Sequence, residues 1–190
     1  MKIYLIAFTV SISLCASFCC PEEDDFFPLK EIANNTIISI NDNKKVFDLG
    51  EQIFINTTFS NEQTTLDGET ILLSDYNNNN DNIRCTFALY KETNFGTLVK
   101  ISVTDNNIEV INGNTYTDRH WINAENTFKD NKFSSVFGIT LLESGTYYIT
   151  GTNYDFDNDG IVWFYISDVN LASKIINSED DGAYKFTVNP

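Results

Sequence analysis

The chain has 190 residues, 42% of them hydrophobic and 14% aromatic, with 27 acidic side chains against 12 lysines and arginines. That apolar share excludes a collagen-like, coiled-coil or wholly disordered polymer, and the length fits a leader plus one domain. A formal charge of −15 leaves no basic surface to neutralise a phosphate backbone, which excludes nucleic acid as a partner.

The chain opens with Lys2 and an apolar run from Ile3 to Phe18. A permanent membrane helix needs about 20 apolar residues, and this run breaks earlier, at Cys19-Cys20 and then Pro21-Glu22-Glu23-Asp24-Asp25. A short apolar stretch that gives way abruptly to small and acidic residues is the pattern of an export signal. The segment resembles a bacterial lipoprotein precursor, in which a cysteine just after the apolar stretch is lipidated and becomes the first mature residue. The resemblance implies Cys20 as that residue, with Ser17 at −3 and Cys19 at −1. Cys19 is the alternative. The acidic run that follows is similar to the export tag of Bacteroidota-type surface lipoproteins, which implies a lipoprotein of the outer membrane that faces outward. The chain then divides into a signal peptide (1–19), an acidic tether (20–35) and a domain (36–190). An anionic domain is repelled by anionic lipid, so the lipid anchor alone would hold it to the membrane.

Cys85 is the one cysteine left to the domain, so no internal disulfide is available there. It falls in phase with Ile83, Phe87 and Leu89, which predicts a small buried apolar side chain. From Thr36 onward the hydrophobic period is two. Taken in chain order it predicts strands over 36–40, 52–59, 69–73, 83–89, 99–103, 108–111, 136–141, 147–149, 161–166 and 184–188. Runs such as Asn41-Asp42-Asn43, Asp105-Asn106-Asn107, Asn112-Gly113-Asn114 and Asp180-Asp181-Gly182 separate them, because these residues tolerate turn conformations. Two stretches read as short helices, Asn123–Asp130 and Asp168–Asn177. The Asn-rich tract 75–82 reads as a surface loop.

Short alternating strands at this spacing predict an all-β fold, an antiparallel sandwich of about 8–10 strands. The stretch Glu143-Ser144-Gly145-Thr146-Tyr147 resembles the tyrosine corner of immunoglobulin-like sandwiches. That resemblance implies that Gly145 turns the chain, that the Tyr147 ring enters the core and that its hydroxyl bonds nearby backbone. Asp180-Asp181-Gly182-Ala183-Tyr184 fits the same template.

The sharpest chemical motif is Asp155-Phe156-Asp157-Asn158-Asp159-Gly160. Carboxylates at alternate positions before a glycine match the opening of a calcium loop, so Asp155, Asp157 and Asp159 are candidate Ca²⁺ ligands. Ile166 stands where the full loop places a bidentate Glu, and Trp163 where it places a polar group. An ion would thus need a hairpin loop with distant help, with Asp168 as a candidate helper. An ordinary acidic turn is the other reading. His120 is the only histidine, and the chain has no G-x-S-x-G, C-x-x-C or H-E-x-x-H sequence. No catalytic residues are therefore assigned, and the chain is not expected to be an enzyme. Trp121, Tyr148, Tyr154, Phe156 and Trp163 include aromatics outside the buried phase, able to stack on sugars or anchor a protein. The expected function is a lipid-anchored cell-surface module that binds glycan or protein. The alternative is a structural or accessory subunit of an outer-membrane assembly.

Overall fold

The structure, a computed structural model, describes residues 29–77, 82–152, 154 and 159–190. Sixteen strands form among them. In chain order they are β1 (Lys30–Ala33), β2 (Ile38–Ile40), β3 (Val46–Asp48), β4 (Gln52–Ser60), β5 (Glu62–Thr64), β6 (Thr70–Leu72), β7 (Asn82–Glu92) and β8 (Leu98–Ile101). The second half contains β9 (Ile108–Asn112), β10 (Asn114–Asp118), β11 (Trp121–Lys129), β12 (Lys132–Thr140), β13 (Gly145–Thr150), β14 (Val162–Ile166), β15 (Val169–Ser173) and β16 (Tyr184–Asn189). The all-β sandwich reading holds, while the strand count exceeds the expected 8–10. The additions are β1, β3, β5, β10, β11 and β15, mostly pieces too short or too polar to show a period. Residues 30–33 of the segment read as a tether are strand β1, which pairs in parallel with β15 and buries Ile32.

Both helix expectations are corrected. Trp121–Lys129 is β11 and Val169–Ser173 is β15. Each has an inward phase interrupted by a polar residue, Asn126 in one and Ser173 in the other, and both are buried. A polar residue at a core position hides the two-residue period and leaves a pattern that passes for a short helix.

Fourteen of the strands join one curled sheet, and β5 and β6 form a separate hairpin. The eleven-residue β7 is its spine. One edge of β7 pairs first with β14 and then with β13, and its other edge with β11 and then β8. Together with β10, β15, β1, β16 and β3 these make the first layer. Strands β2, β4, β12 and β9 make the second. The layers face each other across Phe59 and Phe164, 5.0 Å between ring centroids, and across Phe87 and Phe137, 5.8 Å apart. Ile53, Ile55, Phe59, Ile83, Cys85, Phe87, Phe133 and Phe137 alternate inward along their strands and fill the space between.

The corner at Tyr147 forms as its motif implies. Gly145 has φ +143°, the Tyr147 ring stacks on Phe186, and the Tyr147 hydroxyl donates to the Glu143 carbonyl at 2.8 Å. The second motif ends differently. Tyr184 is fully buried, but its hydroxyl reaches across to the Lys44 carbonyl at 3.0 Å. It ties β16 to the chain entering β3 and makes no corner of its own.

Candidate functional site

Strand pairing in β7 forces Arg84, Thr86, Ala88 and Tyr90 to the outer face while Ile83, Cys85, Phe87 and Leu89 point inward. Register extends that outer phase to the neighbouring strands. Asn170 of β15 lies opposite Tyr165 of β14, Tyr165 opposite Arg84, Arg84 opposite Glu125 of β11, and Glu125 opposite Asn114 of β10. Five strands thus contribute one row of an aromatic, a guanidinium, a carboxylate and two amides. A second row places Trp163 beside Ala172, Thr86 beside Asn123, and Asn123 beside Tyr116. Thr86 donates to the Asn123 side-chain oxygen at 3.0 Å, which satisfies both groups under the surface.

The first row is well organised. The Arg84 guanidinium lies 4.9 Å from the centroid of the Tyr165 ring, and Tyr165 is 46% exposed. A hydrogen bond to Tyr116 is the main cause that raises the Arg84 pKa, so the group is a permanent cation. Asn114 Nδ2 donates to Glu125 at 3.1 Å and orients that carboxylate. Arg84, Glu125, Tyr165, Ser167, Asn77 and Asn82 line an open cleft of about 600 Å³. A second depression of about 420 Å³ adjoins it, lined by Thr152, Trp163 and Asn170 and sharing Tyr165. Tyr165 is the partition between the two. Such a surface offers ring faces for stacking, neutral amides for hydroxyl groups and one fixed cation.

The opposite end of the same outer face is built from the expected aromatics. Trp121, Tyr148 and Tyr154 pack with Tyr90, Leu98, Ala88 and Ala183 into a second cluster. Lys100 stands 3.7 Å from the Trp121 centroid, and Lys185 stands 5.3 Å from that of Tyr148. Tyr154 lies tilted against Tyr90, 5.4 Å between ring centroids, and donates to the Asp181 carboxylate at 2.9 Å. The lysines cover these rings, so this end is a closed aromatic stack. Trp163 belongs to the Tyr165 end, and Phe156 lies outside the described residues.

Cys20 and Cys19, Asp155 and Asp157 also lie outside the described residues. Asp159 accepts the Ile161 backbone N–H at 3.0 Å, a local turn bond. Asp168 has φ +56° in the turn between β14 and β15. Among the described residues no three His, Cys, Asp or Glu side chains gather as a metal group. His120 is exposed, and its Nδ1 lies 2.7 Å from the Ser102 hydroxyl. Neither residue lines the Arg84 cleft. Cys85 is buried as expected, and burial pushes its thiol up to about 12, so it is not a nucleophile in the folded protein.

Arg84, Glu125, Tyr116, Tyr165 and Asn170 were not singled out from the sequence. Only Arg84 and Tyr165 lie in stretches read as strands, 83–89 and 161–166, where their outward phase is visible. The convergence of the five depends on which strands pair, and β10, β11 and β15 were not recognised as strands.

No protein-family model matches the chain, and no curated protein matches it. Solved structures similar to it include a type II cohesin domain from the cellulosome of Acetivibrio cellulolyticus, at 13% identity over 84% of this chain and 95% of that one, with TM-score 0.34. A non-cellulosomal cohesin from the hyperthermophilic archaeon Archaeoglobus fulgidus is similar at 9% identity, over 77% of this chain and 95% of that one, with TM-score 0.30.

Proposed function

We propose that this chain is a binding module that takes up glycan on the outer face of β15, β14, β7, β11 and β10, and that it does so as a lipid-anchored protein at the cell surface. The observation that carries the reading is the cross-strand row Asn170–Tyr165–Arg84–Glu125–Asn114. Saccharides present apolar ring faces edged by hydroxyl groups. An exposed tyrosine set among amides and charged groups on a rigid sheet matches both demands at once. No chemistry is assigned to the face: it binds and does not transform. The anchoring part of the reading rests on the cysteine pair after the apolar run, with Cys20 as the lipidated residue.

The test is a panel of soluble oligosaccharides titrated calorimetrically against the full-length chain in detergent. Tyr165→Ala should weaken the best binder by about tenfold or more while thermal stability holds, because the ring is half exposed. Binding untouched by Tyr165→Ala, or a panel without any binder, overturns the reading. Cys20→Ala should move the protein from the membrane to the soluble fraction, and retention in the membrane would overturn the anchor.

One observation favours the alternative of an accessory subunit. Val99 on β8 and Val110 and Ile111 on β9, two strands that follow one another in the chain, are 47%, 43% and 59% exposed. An assembly contact there would appear as cross-links from β8 and β9 to one partner in intact cells.

A further inference from the structure

Resting on the glycan-binding reading, we infer that the saccharide is acidic, and that Arg84 grips a sugar carboxylate in the larger cleft while the ring that bears it, or the next one, stacks on Tyr165. The first support is the partner that Arg84 lacks. Arg84 pairs with no carboxylate within 4.0 Å among the described residues, although Glu125 is its direct cross-strand neighbour. Glu125 instead accepts from Asn114. The guanidinium is held by the Tyr165 ring and the Tyr116 hydroxyl, two uncharged groups, while Glu125 acts on it only through space and as the least of the influences that raise its pKa.

The second support is shape. A guanidinium presents planar paired donors that match a carboxylate in a bidentate bond, which gives direction as well as attraction. Arg84 stands in a cleft whose other polar walls include the uncharged Asn77, Asn82 and Ser167. Glu125 limits the charge that the cleft accepts. A single carboxylate brings half the charge of a phosphate dianion against Glu125 and the net charge of −15, so one guanidinium can offset it. Tyr165 separates this cleft from the depression with Trp163 and Asn170, so consecutive sugar rings can occupy the two sides of one partition.

The experiment compares pairs of oligosaccharides that differ only in the oxidation of C6. A β-1,4-linked mannose hexamer ending in one mannuronate is set against the all-mannose hexamer, and a galactose hexamer ending in one galacturonate against its all-galactose counterpart. Each is titrated against the full-length chain in detergent. The uronate of at least one pair should bind about tenfold or more tightly than its neutral partner, and the preference should shrink as salt is raised. Arg84→Gln should abolish the preference of the uronate over its neutral partner, with thermal stability held because the side chain is exposed and its loss leaves the core intact. Arg84→Lys should recover only part of it, because the charge returns without the fork. Equal affinities within every pair, or a preference that survives Arg84→Gln, overturns the inference and leaves the glycan reading standing. Absence of binding by any saccharide removes that reading itself.

Discussion

Asn126 lies in the buried phase of β11, where its amide donates to the Ile83 carbonyl at 2.8 Å and contacts the Cys85 sulfur at 3.6 Å. Its side-chain oxygen accepts from the Thr57 hydroxyl, which also lies 2.7 Å from the Ser135 hydroxyl. All four side chains are fully buried, on β4, β7, β11 and β12, so one small polar network joins the two layers inside an otherwise apolar core. Asn126→Ala removes a partner from the Thr57 hydroxyl and from the Ile83 carbonyl, both beyond the reach of water. The expected cost is about 2–4 kcal/mol, read as a lower urea midpoint with an unchanged slope. The same residue explains a failure of legibility. A strand written Ile122-Ala124-Asn126-Phe128 has the right period only if Asn126 is granted a place in the core, and nothing local says that Thr57 and Ser135 will meet it there. Cys85 was legible for the opposite reason: its neighbours at two-residue spacing are all apolar.

Two nested corners explain how a single sheet becomes two layers. Strands β11 and β12 pair only near their shared turn, from Thr127 and Ser134 to Lys129 and Lys132, and then diverge. Strand β10 follows β11 into the first layer and β9 follows β12 into the second. Gly113 is the inner apex where β9 and β10 part. It has φ +79°, and a Cβ there would stand 2.5 Å from the Glu125 carbonyl oxygen and 2.9 Å from the Ser135 Cβ. Gly113→Ala should therefore destabilise by about 2–4 kcal/mol, from strain and collision together. Gly68 makes the control, since it has φ +88° but nothing within 4 Å of the added atom. Gly68→Ala should cost only about 1 kcal/mol, from the backbone alone. Equal losses in urea unfolding of the two variants would refute the collision. The turn at Asn112-Gly113-Asn114 was legible from composition. Its splaying was not, because a hairpin and a corner use the same residues and differ only in what packs between their arms.

At the scale of the whole molecule, buried tyrosines set the alkaline limit. Tyr184 is pushed from 10.0 up to about 12 by burial, and Tyr154 to about 12 by burial and by its bond to the Asp181 carboxylate. Both groups hold their protons more tightly folded than unfolded. Stability from this source is complete below pH 10 and is lost as pH rises towards about 12, while the unfolded chain ionises first. Urea titrations at stepped pH should show that decline, and Tyr184→Phe should flatten it while costing about 1 kcal/mol at neutral pH for the bond to Lys44. Fold class was readable because period two persists through ten strands, and the tyrosine corner was readable because its few residues act locally. The candidate site was not, since Arg84, Glu125 and Tyr165 become neighbours only through pairings between strands up to eighty residues apart.

The parallel pairing of β1 with β15 has a mechanical side. Lys30, Glu31, Ile32 and Ala33 run in register with Val169, Asn170, Leu171 and Ala172, and backbone bonds from Lys30 to Asp168 and from Asn34 to Ala172 close the two ends. Any tension entering through the residues before Lys30 pulls along β1 and loads those bonds side by side, in shear, rather than opening them one after another like a zip. The strand that takes the pull is hydrogen-bonded to β15, and β15 supplies Asn170 to the candidate site. A grip at Tyr165 and a pull at the N-terminus would thus meet within three adjacent strands and leave the rest of the sandwich unstressed.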